Sequence, residues 1–136
     1  MSLHYNQNYT HDQTESILNI IHECIRCNRY IISKNENRKE NINFIIKYNL
    51  NTSKQKEILL HIVVDDFCHS LQNTNVGFEH EILYVFCPQI VLFNFEGEKT
   101  IVDLYTKFNI IDYDNGKRVI AISFHERNKP MDYAFR

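Results

Sequence analysis

Glycine and proline are scarce in this 136-residue chain, which contains three Gly and two Pro. So few glycines argue against a glycine-rich phosphate-binding loop, and so few of either residue argue against long flexible linkers. No apolar run approaches the roughly 20 residues that a membrane-spanning helix needs. The first residues also lack the basic region and the apolar segment of a signal peptide. We therefore expect a cytoplasmic protein that has no membrane partner.

Cysteines are few and the net charge is small. The four cysteines, in a chain without an export signal, are expected to be free thiols rather than disulfides. The formal net charge is -2, whereas contacts with nucleic-acid phosphates normally need a basic surface. An average can conceal a local basic patch. The charge therefore argues against a broadly basic RNA-binding protein but leaves room for a local site.

Hydrophobic and aromatic residues are plentiful, at 43% and 12% of the chain, which is enough for one core. Residues 1–12 are polar and are expected to be loosely ordered, and residues 13–136 are expected to form a single domain. Apolar spacing predicts helices over residues 14–28, 38–48 and 53–62, and strands over residues 30–33, 82–87, 90–95, 99–111 and 117–125. Helices followed by strands predict an α+β fold, an antiparallel sheet with helices packed on one face.

The last two predicted strands are joined by Asn115-Gly116, a strong hairpin signal. Because side chains alternate along a strand, one face is predicted to carry Val102, Leu104, Phe108, Ile110, Ile120, Ile122 and Phe124. The opposite face is predicted to be open and to carry Tyr105, Lys107 and His125. These three residue types suit a phosphate-bearing ligand. The alternative is that they form the solvent side of a half-buried sheet.

His22, Cys24 and Cys27 are three possible metal ligands on the first predicted helix. One CxxC pair is a weak signal without a second pair at a matching distance. Thiols three residues apart on an amphipathic helix are ordinary core residues. We therefore assign no metal site and expect no cofactor.

Cys68-His69 suggests a nucleophilic thiol with His125 as its base. Adjacent side chains point apart, however, and no oxyanion loop is evident in the sequence. The more basic segments offer another possibility, since Arg38, Lys39 and Arg118 are candidate contacts for RNA phosphates. Their alternative interpretation is a solvated charged surface.

Several of these residues lie in motifs that resemble the MqsR-like toxins. Residues 104–108 (LYTKF) resemble the family's "VYIKI" strand, residues 122–126 (ISFHE) its "ISFH" or "VSFK" strand, and residues 129–136 its "HPMxYPFK" ending. Residues 37–41 resemble its "DRxKN" helix start, residues 57–67 its "EILxxL" and "DF" stretch, and residues 83–86 its "LWVF" strand. The motifs follow the family's order from about residue 30 to the end.

The resemblance implies a RelE-like fold, ribosome-independent cleavage of mRNA and neutralisation by an antitoxin protein. By position, Tyr105 corresponds to the family's catalytic tyrosine. His125 and His69 stand where the family has lysines. The implied partners are therefore single-stranded mRNA and a cognate antitoxin.

RNA cleavage without a metal requires a base for the 2′-hydroxyl, an acid for the leaving 5′-oxygen and a cation for the phosphorane. Histidine can act as acid or base near neutral pH, so His125 and His69 are candidates. Lys107 could stabilise the developing charge, and Tyr105 could orient the 2′-hydroxyl or stack on a base. The alternative function is a non-catalytic RelE-like module that binds a protein or RNA partner.

Overall fold

The computed structural model describes residues 5–35 and 38–136. Within these residues the helices are α1 His11–Arg26, α2 Lys39–Lys47 and α3 Thr52–Leu60. The strands are β1 Tyr5–Asn6, β2 Tyr30–Ile32, β3 Phe67–Gln72, β4 Ile82–Phe86, β5 Gln89–Phe93, β6 Lys99–Tyr113 and β7 Gly116–Glu126. A 3₁₀ helix, Val64–Asp66, precedes β3. None of the described helices combines the length and apolar character that crossing a membrane requires.

The strands form one mixed sheet in the order β1-β3-β4-β6-β7-β2, with β5 continuing the line of β4 along β6. The prediction of an α+β fold with a mostly antiparallel sheet is confirmed. One pair differs, because β2 lies parallel to β7 at the sheet edge. A parallel neighbour requires a long crossover connection. Here that connection is most of the chain, which is why local spacing did not reveal the pairing.

The N-terminal segment is more ordered than its composition predicts. Tyr5 and Asn6 pair with β3, and α1 begins at His11 rather than at residue 14. Thr10 Oγ1 accepts from the backbone N–H of Gln13 (3.0 Å), and Gln13 Oε1 accepts from the backbone N–H of Thr10 (2.8 Å). This reciprocal capping box fixes the helix start. Residues 1–4, also expected to be loosely ordered, lie outside the described residues.

The main core lies between the sheet and the three helices. Phe67, Phe86, Phe108 and Phe124 are fully buried on the sheet side. The helices contribute Leu18, Ile21, Ile25, Phe44, Ile58 and Leu59 to the same cluster. We call this side of the sheet the helix face. The predicted packing of helices on one face, against Leu104, Phe108 and Phe124, is therefore present.

A β-bulge in β7 changes which residues of that strand face the core. Lys107 pairs with Ser123, but Phe108 pairs with Ala121, so Ile122 is the extra residue. An inserted residue reverses the in-and-out alternation beyond it. Ala121 and Val119 are consequently buried in the main core, whereas Ile120 and Ile122 are not. The prediction that Ile120 and Ile122 share the core face with Phe124 is wrong for this reason.

Candidate functional site

The side of the sheet opposite the helices, which we call the second face, carries the polar residues singled out in the sequence. His69, Val85, Lys107 and Ser123 form one row across β3, β4, β6 and β7. Tyr105 and His125 are paired across β6 and β7 in a neighbouring row. Strand pairing therefore brings the four predicted catalytic side chains to one surface: His69, Tyr105, Lys107 and His125.

Tyr105 and His125 lie in direct contact. Their rings stack with centroids 5.4 Å apart and planes 25° from parallel. Burial, chiefly, raises the pKa of Tyr105 to about 12. Its hydroxyl therefore stays protonated near neutral pH and can donate a hydrogen bond, but it cannot serve as a base.

The contacts of His125 define which ring nitrogen carries hydrogen. Nδ1 lies 2.8 Å from the backbone carbonyl oxygen of Glu126, and that oxygen can only accept. The hydrogen-bond network thus assigns the N–H to Nδ1, which leaves Nε2 as the acceptor in the neutral ring. The Glu40 carboxylate lies 3.7 Å from Nδ1 and can stabilise a positive charge on the ring. His125 therefore has the arrangement of a general base that becomes charged when it takes a proton.

Lys107 lies among other cations. Burial lowers the pKa of its ammonium, and the charges of Arg38 and Lys129 lower it further. The same Arg38 charge acts on Tyr105 in the neighbouring row. The positive charges of Arg38 and Lys129 thus act on Lys107 in a chain whose formal net charge is -2. Such a local concentration of positive charge favours an anionic ligand.

His69 is more enclosed than the other candidates. Its ring stacks on Tyr5, with centroids 4.0 Å apart and planes 11° from parallel. The pKa of His69 is lowered to about 4, chiefly by burial and further by the charge of Lys129. His69 is therefore neutral near pH 7 and holds no extra proton for a leaving group. A small cavity of about 220 Å³ separates it from Lys129 and Met131.

The C-terminal segment covers part of the second face, which the sequence predicted to be open. Met131 and Tyr133 pack against a small cluster formed by Cys68, Val85 and Cys87. The Tyr133 hydroxyl donates to the Cys87 carbonyl oxygen (2.7 Å). This cover explains why Tyr105 and Lys107 are half-buried rather than exposed. Alternation along a strand predicts the face on which a side chain lies. It does not predict whether another segment of the chain covers that face.

The three predicted RNA contacts are not in one place. The charge of Arg38 lowers the pKa of Lys107. Lys39 is exposed at the start of α2. Arg118 pairs with Ile111, four positions along β6 from Lys107 and thus roughly 13 Å away along the strand. Its guanidinium lies over the ring of Tyr113, 5.6 Å from the centroid.

Asn41 is a positioning residue that the sequence reasoning missed. Its fully buried amide donates to the carbonyl oxygens of Ser33 and Ile122 (both 2.9 Å) and accepts from the N–H of Phe124 (2.8 Å). It therefore satisfies the backbone of the bulge immediately before His125. An asparagine inside the apolar stripe of a predicted helix is the signal that could have identified it.

The thiols and the histidine of α1 have separate partners. His22 Nε2 contacts the Leu59 carbonyl oxygen (3.2 Å), and Cys24 Sγ contacts the Lys117 carbonyl oxygen (3.4 Å). Cys27 Sγ contacts a Glu23 carboxylate oxygen (3.3 Å). In the part of the chain that the structure describes, no group of three or more His, Cys, Asp or Glu side chains could hold a metal ion.

Cys68 does not have the properties of a nucleophile. It is fully buried, and a hydrogen bond with the Cys87 thiol, followed by burial, raises its pKa. The reactive form of cysteine is the thiolate, which such an environment disfavours. The structure therefore argues against the thiol-nucleophile interpretation of Cys68-His69.

Comparisons with protein-family models, curated proteins and solved structures found no match to this chain.

Proposed function

We propose that this protein binds single-stranded RNA on its second face and cleaves it without a metal ion. The observation that carries the proposal is the stacked Tyr105–His125 pair, which lies on the same face of the sheet as the half-buried Lys107. A half-buried lysine is costly to keep charged, and packing alone gives no reason for it to be there. Perturbed ionisable groups of this kind are typical of functional sites.

The proposed chemistry uses the hydrogen-bonding roles that the contacts assign. His125 Nε2 takes the proton of the 2′-hydroxyl, and the 2′-oxygen attacks the adjacent phosphorus. Lys107, with Arg38, stabilises the negative charge of the phosphorane. The Tyr105 hydroxyl transfers its proton to the leaving 5′-oxygen as the phosphorus–oxygen bond breaks, and protonated His125 returns a proton to the tyrosinate through solvent. The products are a 2′,3′-cyclic phosphate and a 5′-hydroxyl end.

The wider biological role is part of the same proposal. A mostly antiparallel sheet with helices on one face is compatible with a RelE-like fold. It also brings the MqsR-like motif residues Tyr105, Lys107 and His125 side by side. On this basis the protein acts in the cytoplasm as an mRNA-cleaving toxin and is neutralised by an antitoxin protein.

Cleavage of a labelled single-stranded RNA in the presence of EDTA tests the proposal. The wild-type protein should cut the RNA, and His125→Ala, Tyr105→Phe and Lys107→Ala should each reduce the rate by about 10²-fold or more. Arg118→Ala is the matched control, because it removes a cation from the same face far from Lys107. Its rate should stay near that of the wild type. Absence of cleavage by the wild-type protein, or an equal loss in the Arg118 variant, contradicts the proposal.

A non-catalytic RNA-binding module is the second candidate, and two observations favour it. Glu40 lies beside His125, where its negative charge repels phosphate, and the C-terminal segment restricts access to Lys107. This candidate predicts salt-sensitive RNA binding that is lost in the Lys107 variant, with no cleavage by any form of the protein. The same EDTA assay, combined with a binding measurement, distinguishes the two candidates.

A further inference from the structure

The sheet has a gap beside β5. Strand β3 pairs with β4 as far as Phe67 and Phe86, and the Cys87 N–H donates to the Asp66 carbonyl oxygen (2.8 Å). The residues before Phe67 form the 3₁₀ helix Val64–Asp66, which does not continue the path of β3. Strand β5 continues along β6, and among the described residues β6 is its only strand neighbour. One edge of β5 is therefore open over five residues.

The backbone groups at that edge can be identified from the hydrogen bonds to β6. The Leu104 N–H donates to the Pro88 carbonyl oxygen (2.9 Å), and the Asn94 N–H donates to the Glu98 carbonyl oxygen (3.1 Å). In an antiparallel pair, alternate residues of a strand direct their backbone groups to the same neighbour. Gln89, Val91 and Phe93 therefore direct their N–H and C=O groups away from β6. Unpaired groups of this kind are a template for another strand.

A groove of about 670 Å³ runs along the open edge. One wall is β5 itself, since consecutive residues of that strand line the groove. The opposite wall includes Ile58 and His61 from the end of α3, together with Val63 and Tyr133. The groove is thus enclosed on both sides where a further strand would lie. In a second copy of the protein β5 is already paired with β6, so both strands would have to enter the groove. The opposite wall obstructs an element of that width.

The side chains on both faces of β5 are apolar. Ile90 and Leu92 belong to the core or pack against it. On the outer face, Val91 is 46% exposed and Phe93 is 62% exposed, and Ile101 of β6, paired with Val91, is 66% exposed. Isolated exposed hydrophobic side chains are ordinary, but a cluster beside an open strand edge indicates a contact surface.

The charged residues that line the groove are paired with one another. The ion pairs are Lys54–Glu57 (3.6 Å), Arg127–Asp103 (3.4 Å) and Arg136–Asp66 (2.8 Å). The groove therefore presents little unbalanced charge, in contrast to the cations around Lys107. An uncharged occupant is the better match, and a polyanion such as RNA is a poor one.

We infer that the β5 groove binds an extended, uncharged, apolar segment of a partner protein by strand addition. The partner supplies the missing strand, its backbone pairs with Gln89, Val91 and Phe93, and its side chains pack beside the apolar residues on the two faces of β5. This site is separate from Lys107 and the Tyr105–His125 pair. It does not depend on whether the protein cleaves RNA.

A synthetic peptide can test backbone pairing directly. The probe is a dansyl-labelled peptide amide of sequence Gln-Val-Ile-Val-Thr-Val-Gln, which carries no net charge, and its control carries N-methyl groups on alternate residues. Strand addition requires the peptide N–H groups, so methylation should weaken binding about tenfold or more. On binding of the parent peptide, the amides of Val91 and Phe93 should become protected from hydrogen exchange. The amides of Ile90 and Leu92 should change little, because they already pair with β6.

Two variants at one position separate backbone from side-chain effects. Val91→Pro removes an outward N–H without removing a hydrogen bond to β6, and proline is tolerated in edge strands. It should weaken peptide binding about tenfold. Val91→Thr keeps the N–H and the branched shape, so it should bind much as the wild type does. Far-UV circular dichroism and a thermal melt establish that each variant is folded.

Three results overturn the inference. The first is equal binding of the parent and N-methylated peptides to the wild-type protein, a comparison that needs no variant. The second is the absence of saturable binding of the parent peptide up to about 1 mM. The third is a dimer, seen by light scattering, that Val91→Pro converts to monomer, because a second copy would then be the occupant.

Discussion

The two faces of the sheet are formed by the same strands but differ in the kind of side chain that they bury. On the helix face, Phe67, Phe86, Phe108 and Phe124 are fully buried. Phe86 packs at a tilt against Phe67 and edge-on against Phe108, and Phe124 packs edge-on against Phe44. On the second face, the same strands hold His69, Lys107 and Tyr105, whose pKa values are all shifted by burial. Aromatic burial stabilises the fold, whereas burial of ionisable groups costs stability unless they are paired.

This contrast locates function more firmly than composition does. The four buried phenylalanines of the helix face are accounted for by the hydrophobic effect. The second face holds a neutral histidine and a destabilised ammonium, and apolar residues would fill that space at lower cost. A functional site is expected where buried ionisable side chains occupy positions that apolar side chains would fill at lower cost in stability.

The largest loss of stability should come from the helix face. Phe108→Ala should lower the free energy of unfolding by about 3–5 kcal/mol, because it leaves a cavity among fully buried aromatic rings. Urea unfolding followed by circular dichroism measures the change. A cost below about 1 kcal/mol would show that this face is not the main core.

Acidification should act chiefly through the second face. The folded pKa of His69 is about 4, below its ordinary value of 6.5, so the unfolded chain binds more protons between these values. The contribution of His69 to stability is therefore full above pH 6.5 and is lost as the pH falls to 4, by roughly 3 kcal/mol.

Comparison of the wild type with His69→Gln isolates that contribution. His22, whose pKa is also lowered by burial, and Asp66, whose pKa is raised by burial, are present in both proteins and cancel. Urea unfolding at a series of pH values should give a steeper fall for the wild type than for the variant. Parallel curves would mean that His69 is not held neutral.

Asn41 connects the two faces, because it holds the bulge that turns His125 onto the second face. Asn41→Ala should cost about 2 kcal/mol, since buried backbone groups of Ser33, Ile122 and Phe124 lose their partners. RNA cleavage should fall further than this stability loss explains at temperatures where the variant is folded. Asn41→Asp, which places a buried carboxylate oxygen against the carbonyl oxygens of Ser33 and Ile122, should cost at least as much as Asn41→Ala.

The sequence predicted most of the regular elements of this molecule, but it did not predict the strands β1 and β3. The three helices, the α+β class and the long hairpin around Asn115-Gly116 follow from apolar periodicity and turn chemistry, which are local properties. The common face of Tyr105, Lys107 and His125 was also predicted, since alternation fixed their side of the sheet. The assignment of RNA cleavage to that face remains a prediction.

The remaining features arise from contacts between distant parts of the chain. The bulge at Ile122 depends on Asn41, which lies 81 residues earlier. The parallel position of β2 and the packing of Met131 and Tyr133 over Cys87 are likewise long-range. The local sequence pattern contains no information about such contacts. The prediction that Ile120 and Ile122 share a face with Phe124 was therefore wrong.

RNA binding by Lys107→Met tests the central claim most directly. The substitution replaces a half-buried cation with an apolar chain of similar length, so stability should change by less than about 1 kcal/mol. The wild-type protein should bind a labelled single-stranded RNA with an affinity that falls as salt is raised. We predict that Lys107→Met loses most of this affinity while unfolding at an unchanged or higher urea concentration. A variant that binds RNA as the wild type does, or that loses binding only because it is unfolded, contradicts the account of the second face.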